Sequence, residues 1–438
     1  MMQRTVKVIG GGLAGVEAAW QLAKNGIKVE LFEMKPVKFS PAHTKETLAE
    51  LVCSNSLKAM RPESAAGLLK EEMRRFGSIC MQAADFSRVD AGGALAVDRD
   101  KFSGRITELI EENENIKLIR REVTEIPDGD VIVCAGPLAS ESLSESIRAL
   151  CGDGLYFFDA AAPIVTFDSV NMDKAFTASR YDRGGDDDYI NCPMNKEEYE
   201  RFYSELINGE SAELHSFDKR KDVYEGCMPI EVMASRGADT MRFGPLKPVG
   251  LRDPRTGHRP WAVLQLRKEN SRGTLYNLVG FQTNLKFQEQ KRIFSLIPAL
   301  ENAEFVRYGV MHRNTFINSP RLLNSDYSFR ERENLFFAGQ ITGVEGYMES
   351  ASSGIMAGFN MVRRINGLET VTLPETTMMG ALSRYISDES VKNFQPMGAN
   401  FGVLPPTQPH IRDKKERYKA LSERGLNDLE RYLNEIRK

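Results

Sequence analysis

The sequence predicts an α/β fold in which a parallel sheet is built from two distant parts of the chain, with an α+β domain inserted between them. Two observations lead to this prediction. A strand, a glycine-rich turn and a helix occupy residues 6–25, and a second strand runs into a glycine-rich helix start within residues 334–358. Two such phosphate-binding helix starts serve one ligand only if the segment between them leaves the sheet and returns.

The N-terminal motif has the G-x-G-x-x-G spacing of a dinucleotide-binding turn, and it lies in a complete βαβ context. Gly10 permits the turn, Gly12 leaves room for a pyrophosphate, and Gly15 lets the helix pack on the strand. The next strand ends at Glu33, where a carboxylate can accept hydrogen bonds from a ribose diol. The predicted cofactor-binding residues of this half are Gly10, Gly11, Gly12, Leu13, Ala14, Gly15 and Glu33.

Two later strands complete the predicted cofactor site. Residues 130–136 form a strand that ends in Cys-Ala-Gly, like the strand of two-dinucleotide-fold flavoproteins that passes close to the cofactor. The strand at 334–340 is followed by a glycine-rich helix start. This half contributes Gly136, Gly339, Gln340, Gly343 and Gly346 as predicted binding residues. We therefore predict one FAD, held by a Rossmann-like domain of residues 1–164 and 301–438, with an inserted domain at 165–300.

Composition excludes several classes of protein. The chain has 438 residues, 41% of them hydrophobic, which is enough for two or three domains with large cores. No run of about 18 apolar residues occurs and the N-terminus leads directly into a strand, so we expect a cytoplasmic protein without a membrane span. The six cysteines include no C-x-x-C pair, so neither a metal site nor a disulfide framework is expected.

A locally basic stretch stands out in a chain whose net charge is −3. Residues 236–273 contain nine Lys or Arg against three Asp or Glu, together with Phe243, His258 and Trp261. Basic and aromatic side chains together suit phosphate contacts and base stacking, although a solvated face would have the same composition. We take Arg252 and Arg255 as candidate RNA contacts. Helices are expected at 64–76, 100–111 and 196–208, and an amphipathic tail helix at 414–438.

Five segments together resemble the folate- and flavin-dependent tRNA (uracil-5-)-methyltransferase family, in that family's order and spacing. They are GGGLAG at 10–15, LVCSNSLKA at 51–59, EGCMPIE at 225–231, MHRNTFIN at 311–318 and FFAGQITGVEGY at 336–347. The resemblance covers nearly the whole chain. It implies bound FAD, 5,10-methylenetetrahydrofolate as carbon donor, NAD(P)H as reductant, and the T-loop uridine of tRNA (position 54) as acceptor, methylated at C5.

Such a reaction needs a reactive cysteine, because C5 of uracil becomes nucleophilic only when a thiolate has added to C6. Cys227 fits best, since it opens the basic stretch and matches the family's nucleophile motif. By the same resemblance Cys53 lies near the flavin, as proton acceptor or second thiol. His312 can stack on a pterin and Arg313 can meet the glutamate tail of folate, although a lone histidine is more often a core residue. The other four cysteines match no catalytic motif.

Three alternatives remain open at this level. A sister enzyme that methylates a uridine of ribosomal RNA would use the same cofactors. The larger wobble-uridine modification flavoproteins share the FAD fold but carry a long additional C-terminal helical domain, for which this chain ends too early. An NAD(P)H-dependent flavin oxidoreductase acting on a small molecule would explain the flavin segments but leave Cys227 and the basic stretch without a role.

Overall fold

The computed structural model describes residues 4–40, 42–152, 155–160, 162–182, 188–212, 228–269, 273–309, 311–391, 394–409 and 411–436. The strands are β1 (Thr5–Ile9), β2 (Lys28–Glu33), β3 (Ser56–Ala59), β4 (Arg88–Val89), β5 (Ala94–Val97), β6 (Ile116–Arg120), β7 (Val131–Val133), β8 (Leu155–Ala160), β9 (Ile164–Thr166), β10 (Phe176–Thr177), β11 (Tyr189–Met194), β12 (Ala262–Lys268), β13 (Leu275–Leu278), β14 (Phe305–Arg307), β15 (Met311–Phe316), β16 (Ser328–Phe329) and β17 (Arg332–Phe337). The helices are α1 (Leu13–Ala23), α2 (Ala65–Arg75), α3 (Ile79–Phe86), α4 (Arg99–Glu111), α5 (Glu141–Cys151), α6 (Lys196–Ile207), α7 (Ile230–Ser235), α8 (Thr240–Phe243), α9 (Phe287–Phe294), α10 (Ser319–Leu322), α11 (Tyr347–Ile365), α12 (Met378–Tyr385) and α13 (Lys414–Ile436).

The first sheet has the order β16-β17-β7-β1-β2-β6, and every pair except β16 with β17 is parallel. Its central strands are short and apolar on both faces, as expected for a parallel sheet covered by helices. Val8 lies opposite Leu31 of β2 on one side and Ile132 of β7 on the other. The N-terminal strand β1 and the distant strand β17 therefore share one sheet through β7, which confirms the predicted α/β class.

Helices α1 and α11 lie against each other at unusually short range. A Cβ atom added at Gly354 would overlap the main-chain oxygen of Ala14, and one added at Gly358 would lie 2.8 Å from that of Ala18. Side chains larger than glycine would force the two helices apart. The small residues of α11 thus let the middle of this helix pack directly against α1.

A second sheet, antiparallel throughout, has the order β10-β11-β12-β13-β9-β14. Helices α6, α7 and α9 contribute to its core, where Phe202, Phe281 and Phe294 are fully buried. Strand β9 of this sheet begins at Ile164 and strand β14 ends at Arg307, so the sheet extends slightly beyond both predicted boundaries of the inserted domain. The two-stranded ladder of β8 and β15 flanks it in the chain.

The predicted helices at 64–76, 100–111 and 196–208 are present as α2, α4 and α6. The tail helix α13 packs on α2 and buries Leu421, Leu429 and Leu433, as its amphipathic pattern indicates. The residues around Cys53 form an irregular segment that leads into β3 of a small three-stranded sheet. Within the described ranges, none of the helices combines the length and apolar character that crossing a bilayer requires.

Candidate active site

A cavity opens at the carboxyl edge of the first sheet, where ligands of open α/β sheets bind. Segments at the ends of four parallel strands form much of its wall. They are Gly10, Gly11, Gly12, Leu13 and Ala14 after β1, Glu33, Met34 and Lys35 at β2, Cys134, Ala135 and Gly136 after β7, and Gly339 and Gln340 after β17. Sequence positions more than 300 residues apart therefore meet at one site.

The N-terminal turn has the geometry that its three glycines predict. Gly10 has a φ of +104°, and a Cβ atom there would lie 2.6 Å from the main-chain oxygen of Cys134. Gly12 faces open space, so a ligand can approach its backbone closely. A Cβ atom at Gly15 would overlap the main-chain oxygen of Gly10, so only glycine lets α1 begin directly against the turn. Gly15 itself does not line the cavity.

Glu33 is buried at the end of β2 and fixed by main-chain donors. Its Oε2 accepts a hydrogen bond from the N–H of Gly11 at 3.0 Å, and its Oε1 accepts one from the N–H of Lys35 at 2.9 Å. A carboxylate oxygen can accept more than one hydrogen bond, so both oxygens keep capacity for a ribose diol. The position at the cavity wall fits the role predicted for Glu33.

The second glycine-rich segment divides into two parts. Gly339, at a φ of +89°, and Gln340 line the cavity, as does Gly136 at +68°. Gly343 and Gly346 do not line it, because Gly343 packs against the ring of Phe394 and Gly346 against the carboxylate of Glu349. These two glycines shape the entry into α11, and a direct contact with the cofactor stays a prediction.

Sequence reasoning missed a polar group on the cavity wall that includes His43, Lys35 and Glu50. Lys35 Nζ donates to the main-chain oxygen of Thr47 at 2.7 Å and lies 3.5 Å from Glu50 Oε2. Burial and the nearby Lys35 ammonium lower the pKa of His43, which favours a neutral imidazole. The stretch before Lys45 looked like an ordinary polar loop, and nothing in its spacing places His43 at the site.

Cys53 lies next to this cavity, in a segment that side chains from distant elements hold in place. The main-chain N–H groups of Cys53 and Ser54 both donate to the hydroxyl of Tyr347, at 2.7 and 3.1 Å. Tyr347 is the first residue of α11 and lines the cavity. Its burial raises the pKa of the phenol far above the ordinary value, so the hydroxyl keeps its proton and the phenol stays neutral. The half-buried thiol of Cys53 is thus tied to the cofactor side of the site.

The second sheet holds the other side of the same segment. Arg267, near the end of β12, donates from Nε to Asn55 Oδ1 at 3.1 Å and from Nη2 to Ser54 Oγ at 2.9 Å. Asn55 Nδ2 donates in return to the main-chain oxygen of Lys268 at 2.8 Å and to that of Val97 at 3.1 Å. Asn55 is fully buried. We call this set of contacts the Asn55–Arg267 clamp.

Two more arginines hold the chain just before Cys53. Arg99 Nη1 donates to the main-chain oxygen of Leu51 at 2.6 Å, and Arg307 of β14 donates to that of Val52. Burial lowers the pKa of both Arg267 and Arg307, and burial raises the pKa of Glu269, the carboxyl group paired with Arg99. The excess of buried positive charge suits a site that receives anionic substrates.

The remaining described cysteines behave as packing residues. Cys80, Cys134 and Cys192 are buried, and burial raises their thiol pKa far above the ordinary value. Burial also raises the pKa of the half-buried Cys151 to about 12. A thiol with so high a pKa is protonated near neutral pH and is a poor nucleophile. No cluster of three or more His, Cys, Asp or Glu suited to a metal occurs in the described ranges.

Several predicted residues are not tested by this geometry. Cys227 lies outside the described residues. The backbone of His312 and Arg313 belongs to β15, opposite Asp159 and Phe158, but their side chains also lie outside the described part.

The basic stretch is not one continuous surface. Arg267 is only 6% exposed, because it is used in the clamp, so the prediction of an RNA-facing stripe is wrong for this residue. Arg255 donates hydrogen bonds from Nε and Nη2 to the carboxylate of Asp253 at 2.9 and 2.6 Å. Arg252 Nη1 donates to the main-chain oxygen of Gly257 at 3.1 Å. Both are held within one turn, and their RNA contact stays a prediction.

The cavity fits a dinucleotide such as FAD. The open space at Gly12, the start of α1 behind it and the buried carboxylate of Glu33 match a pyrophosphate and a ribose in the arrangement of dinucleotide-binding βαβ units. The Gly339–Gln340 segment and Tyr347 lie across the cavity, where a flavin would face the Cys53 segment.

Comparison with known proteins agrees with this geometry. A sequence model of the family described as glucose inhibited division protein A matches residues 5–369. A relative from Acetivibrio thermocellus, named methylenetetrahydrofolate–tRNA-(uracil-5-)-methyltransferase TrmFO, is 62% identical over 431 residues, which cover 98% of each chain. A relative of the same name from Halalkalibacterium halodurans is 55% identical over 432 residues, covering 98% of this chain and 99% of its own.

Among solved structures, GidA of Aquifex aeolicus in its form II crystal has a TM-score of 0.70 at 16% identity, covering all of this chain and 77% of that one. At this identity the likeness shows the fold alone. Because the family model matches most of the chain and the named relatives cover nearly all of it, this chain belongs to the glucose inhibited division protein A family, in its branch of methylenetetrahydrofolate–tRNA-(uracil-5-)-methyltransferases.

Proposed function

We propose that this chain methylates C5 of the T-loop uridine of tRNA in the cytoplasm, with 5,10-methylenetetrahydrofolate as carbon donor and NAD(P)H as reductant. The observation that carries the proposal is the position of Cys53. Its segment is bonded on one side to Tyr347 of the dinucleotide cavity and on the other to Arg267 of the inserted domain. The proposed cofactor domain and the proposed substrate domain therefore meet at Cys53, whose thiol can act as a nucleophile.

The acceptor carbon needs covalent activation. A thiolate that adds to C6 of uracil forms a C–S bond and turns C5 into an enolate carbon, which attacks the electrophilic methylene carbon of the donor. A base then removes the proton from C5 while the bond between the methylene carbon and the folate nitrogen breaks, so that tetrahydrofolate leaves and an exocyclic methylene remains at C5. A hydride added to that methylene gives the methyl group, and the thiolate leaves C6 to restore the ring. Bound FAD supplies the reducing equivalents, taken from NAD(P)H, that convert a methylene to a methyl group. We assign the addition at C6 to Cys227.

Cys53 is assigned to the flavin side of the reaction. The Tyr347 hydroxyl accepts hydrogen bonds from two consecutive N–H groups of the Cys53 segment, which fixes the main chain that carries the thiol. The clamp fixes the next two residues, Ser54 and Asn55, from the opposite side. A thiol whose main chain is fixed in this way can reach a reacting atom from one position only. Such a fixed position suits a proton acceptor or a second nucleophile.

Trapping with 5-fluorouridine-substituted tRNA tests the assignment, because fluorine at C5 cannot leave as a proton does. We expect a stable protein–RNA adduct with the unchanged protein and with Cys53→Ala, and none with Cys227→Ala. Cys151→Ala is the matched control, because Cys151 is half-buried like Cys53 but matches no catalytic motif. An adduct that survives in Cys227→Ala but disappears in Cys53→Ala would exchange the two roles.

Substrate choice is tested by methyl transfer from radiolabelled methylenetetrahydrofolate. Transfer to a tRNA transcript, and not to a ribosomal RNA fragment or to the tRNA with its T-loop uridine replaced by cytidine, supports the proposal. Transfer to the ribosomal RNA alone would move the chain to the sister activity. Flavin turnover with NAD(P)H but no transfer to either RNA would indicate a small-molecule oxidoreductase.

A further inference from the structure

We propose that a basic cleft at the outer end of the second sheet binds the RNA substrate at a place remote from the reacting uridine, an inference that rests on the proposed function. The cleft has a volume of about 900 Å³ and lies between the start of α6, the segment 253–261 that precedes β12, and the segment 295–301. We call it the Trp261 cleft. It is separate from the dinucleotide cavity, with which it shares no lining residue.

Charge in the Trp261 cleft is positive, and two of its guanidinium groups are available. Its lining includes five Lys or Arg against three Asp or Glu. Arg255 and Lys174 are already paired, with Asp253 at 2.6 Å and with Glu301 at 2.7 Å. Within the described part of the chain, the exposed side chains of Arg201 and Arg259 form no ion pair. Two guanidinium groups on one cleft that form no ion pair with any described residue suit bidentate contacts with phosphates.

Trp261 provides an aromatic surface beside these cations. Its side chain is 37% exposed, and the guanidinium carbon of Arg242 lies 3.8 Å from the ring centroid. Arg242 Nε also donates to the main-chain oxygen of Trp261 at 3.0 Å, which holds the stack in place. Lys196 Nζ lies 5.6 Å from the same centroid. An immobilised, partly exposed indole among cations is the combination on which unpaired bases stack in RNA-binding proteins.

The position of the cleft makes it a remote anchor. Strand β12 begins directly after Trp261 and ends at Lys268, whose main-chain oxygen accepts a hydrogen bond from Asn55 in the clamp. Seven strand residues at ~3.3 Å each separate the two places by roughly 20 Å. A ligand that reaches both must span this distance, and the basic lining of the cleft favours a polyanion such as RNA. In a chain with a net charge of −3, such a ligand needs a local basic surface.

The test uses the full protein with a tRNA transcript and the double variant Arg201→Glu/Arg259→Glu. We expect KM for tRNA to rise at least about tenfold and the slope of log affinity against log salt to fall by about two, because two phosphate contacts are lost. At saturating tRNA, kcat should stay within about twofold, since no altered group lies near the reacting atoms. Trp261→Ala should raise KM roughly fivefold or more. FAD content and thermal midpoint are measured on each variant.

The matched control is Lys415→Glu/Lys419→Glu on the exposed side of α13, which changes net charge by the same amount. If the control raises KM as much as the cleft variant, general charge and not the cleft is responsible, and the proposal is overturned. An unchanged KM and salt slope in the cleft variant would also overturn it. Failure of the unchanged protein to methylate any RNA would instead refute the proposed function, while tRNA binding by filter retention would still report on the cleft.

Discussion

Replacing Arg267 by methionine should loosen the segment that carries Cys53 without unfolding either domain. Methionine keeps much of the length and apolar stem of arginine but donates no hydrogen bond. The change leaves Asn55 Oδ1 without its donor inside the protein, while Ser54 Oγ is half-buried and can bond to water. The hydrogen bonds from Asn55 Nδ2 to Val97 and Lys268 remain, so the two domains stay connected.

The expected magnitude follows from these contacts. A buried acceptor that loses its partner costs about 1–3 kcal/mol, and a solvated one costs little. Removing the desolvated guanidinium, whose pKa burial lowers, offsets part of this cost. We therefore expect about 2 kcal/mol of lost local stability. Because ~1.4 kcal/mol is a factor of ten, opening of residues 51–57 should become roughly thirtyfold more frequent.

Hydrogen exchange followed by mass spectrometry measures this opening directly. Peptides that span 51–57 should exchange about thirtyfold faster in Arg267→Met, and kcat should fall because the thiol is no longer held in one place. Arg330→Met is the control, since Arg330 also donates hydrogen bonds within the protein, but to the main-chain oxygens of Leu323 and Pro320 and not to the Cys53 segment. Exchange in these peptides within threefold of the unchanged protein, together with normal kcat, would refute the reasoning.

Two further predictions concern the cofactor and pH. Gly12→Val should lose most bound FAD, because a side chain there fills the open space left for the pyrophosphate. The flavin absorbance of the purified protein measures this loss, and full FAD content would contradict the placement. Gly93→Val is the control, since Gly93 also has open space around it but lies outside the cavity. Burial raises the pKa of Glu72 to about 8, against the hydrogen bonds from the Met378 and Met379 N–H groups that favour its ionised form. When the pKa of a carboxyl group is higher in the folded than in the unfolded protein, its contribution to stability is complete at pH values below the unfolded-state pKa. That contribution is lost as pH rises towards 8, by up to about 1.4 kcal/mol per pH unit. Denaturant unfolding from pH 5 to 8 should show this decline, and Glu72→Gln should flatten it; identical slopes in both proteins would refute it.

The spacing of neighbouring residues was enough to predict those parts of the site that are formed by a single turn or by the end of a single strand. Gly10, Gly12 and Glu33 follow from spacing alone, since the backbone chemistry of a dinucleotide turn acts over a few residues. The clamp could not be predicted in this way. Asn55 and Arg267 are 212 positions apart, and their contact exists only because β12 of the inserted domain ends against the Cys53 segment.

The same limit explains why the basic stretch was only partly interpretable. A sequence shows that Arg259 and Arg267 carry charge, but not that one is exposed on a cleft while the other is buried in a clamp. Arg201 lies far from that stretch and reaches the cleft only through the packing of α6. Charge counts along a chain therefore show where basic residues cluster in the sequence, but not which of them are exposed in the fold.

Strand β12 joins the two proposed sites, and this gives the inserted domain a double role. One end of the strand follows Trp261 in the cleft, and the other carries Arg267 and Lys268 into the clamp. Its core residues Leu264 and Leu266 are fully buried between flanking strands, so the strand is a rigid element. In the proposed binding mode a single strand, and not a flexible linker, sets the position of RNA in the cleft relative to Cys53. A change that weakens the clamp should for this reason alter kcat, whereas a change in the cleft should alter KM.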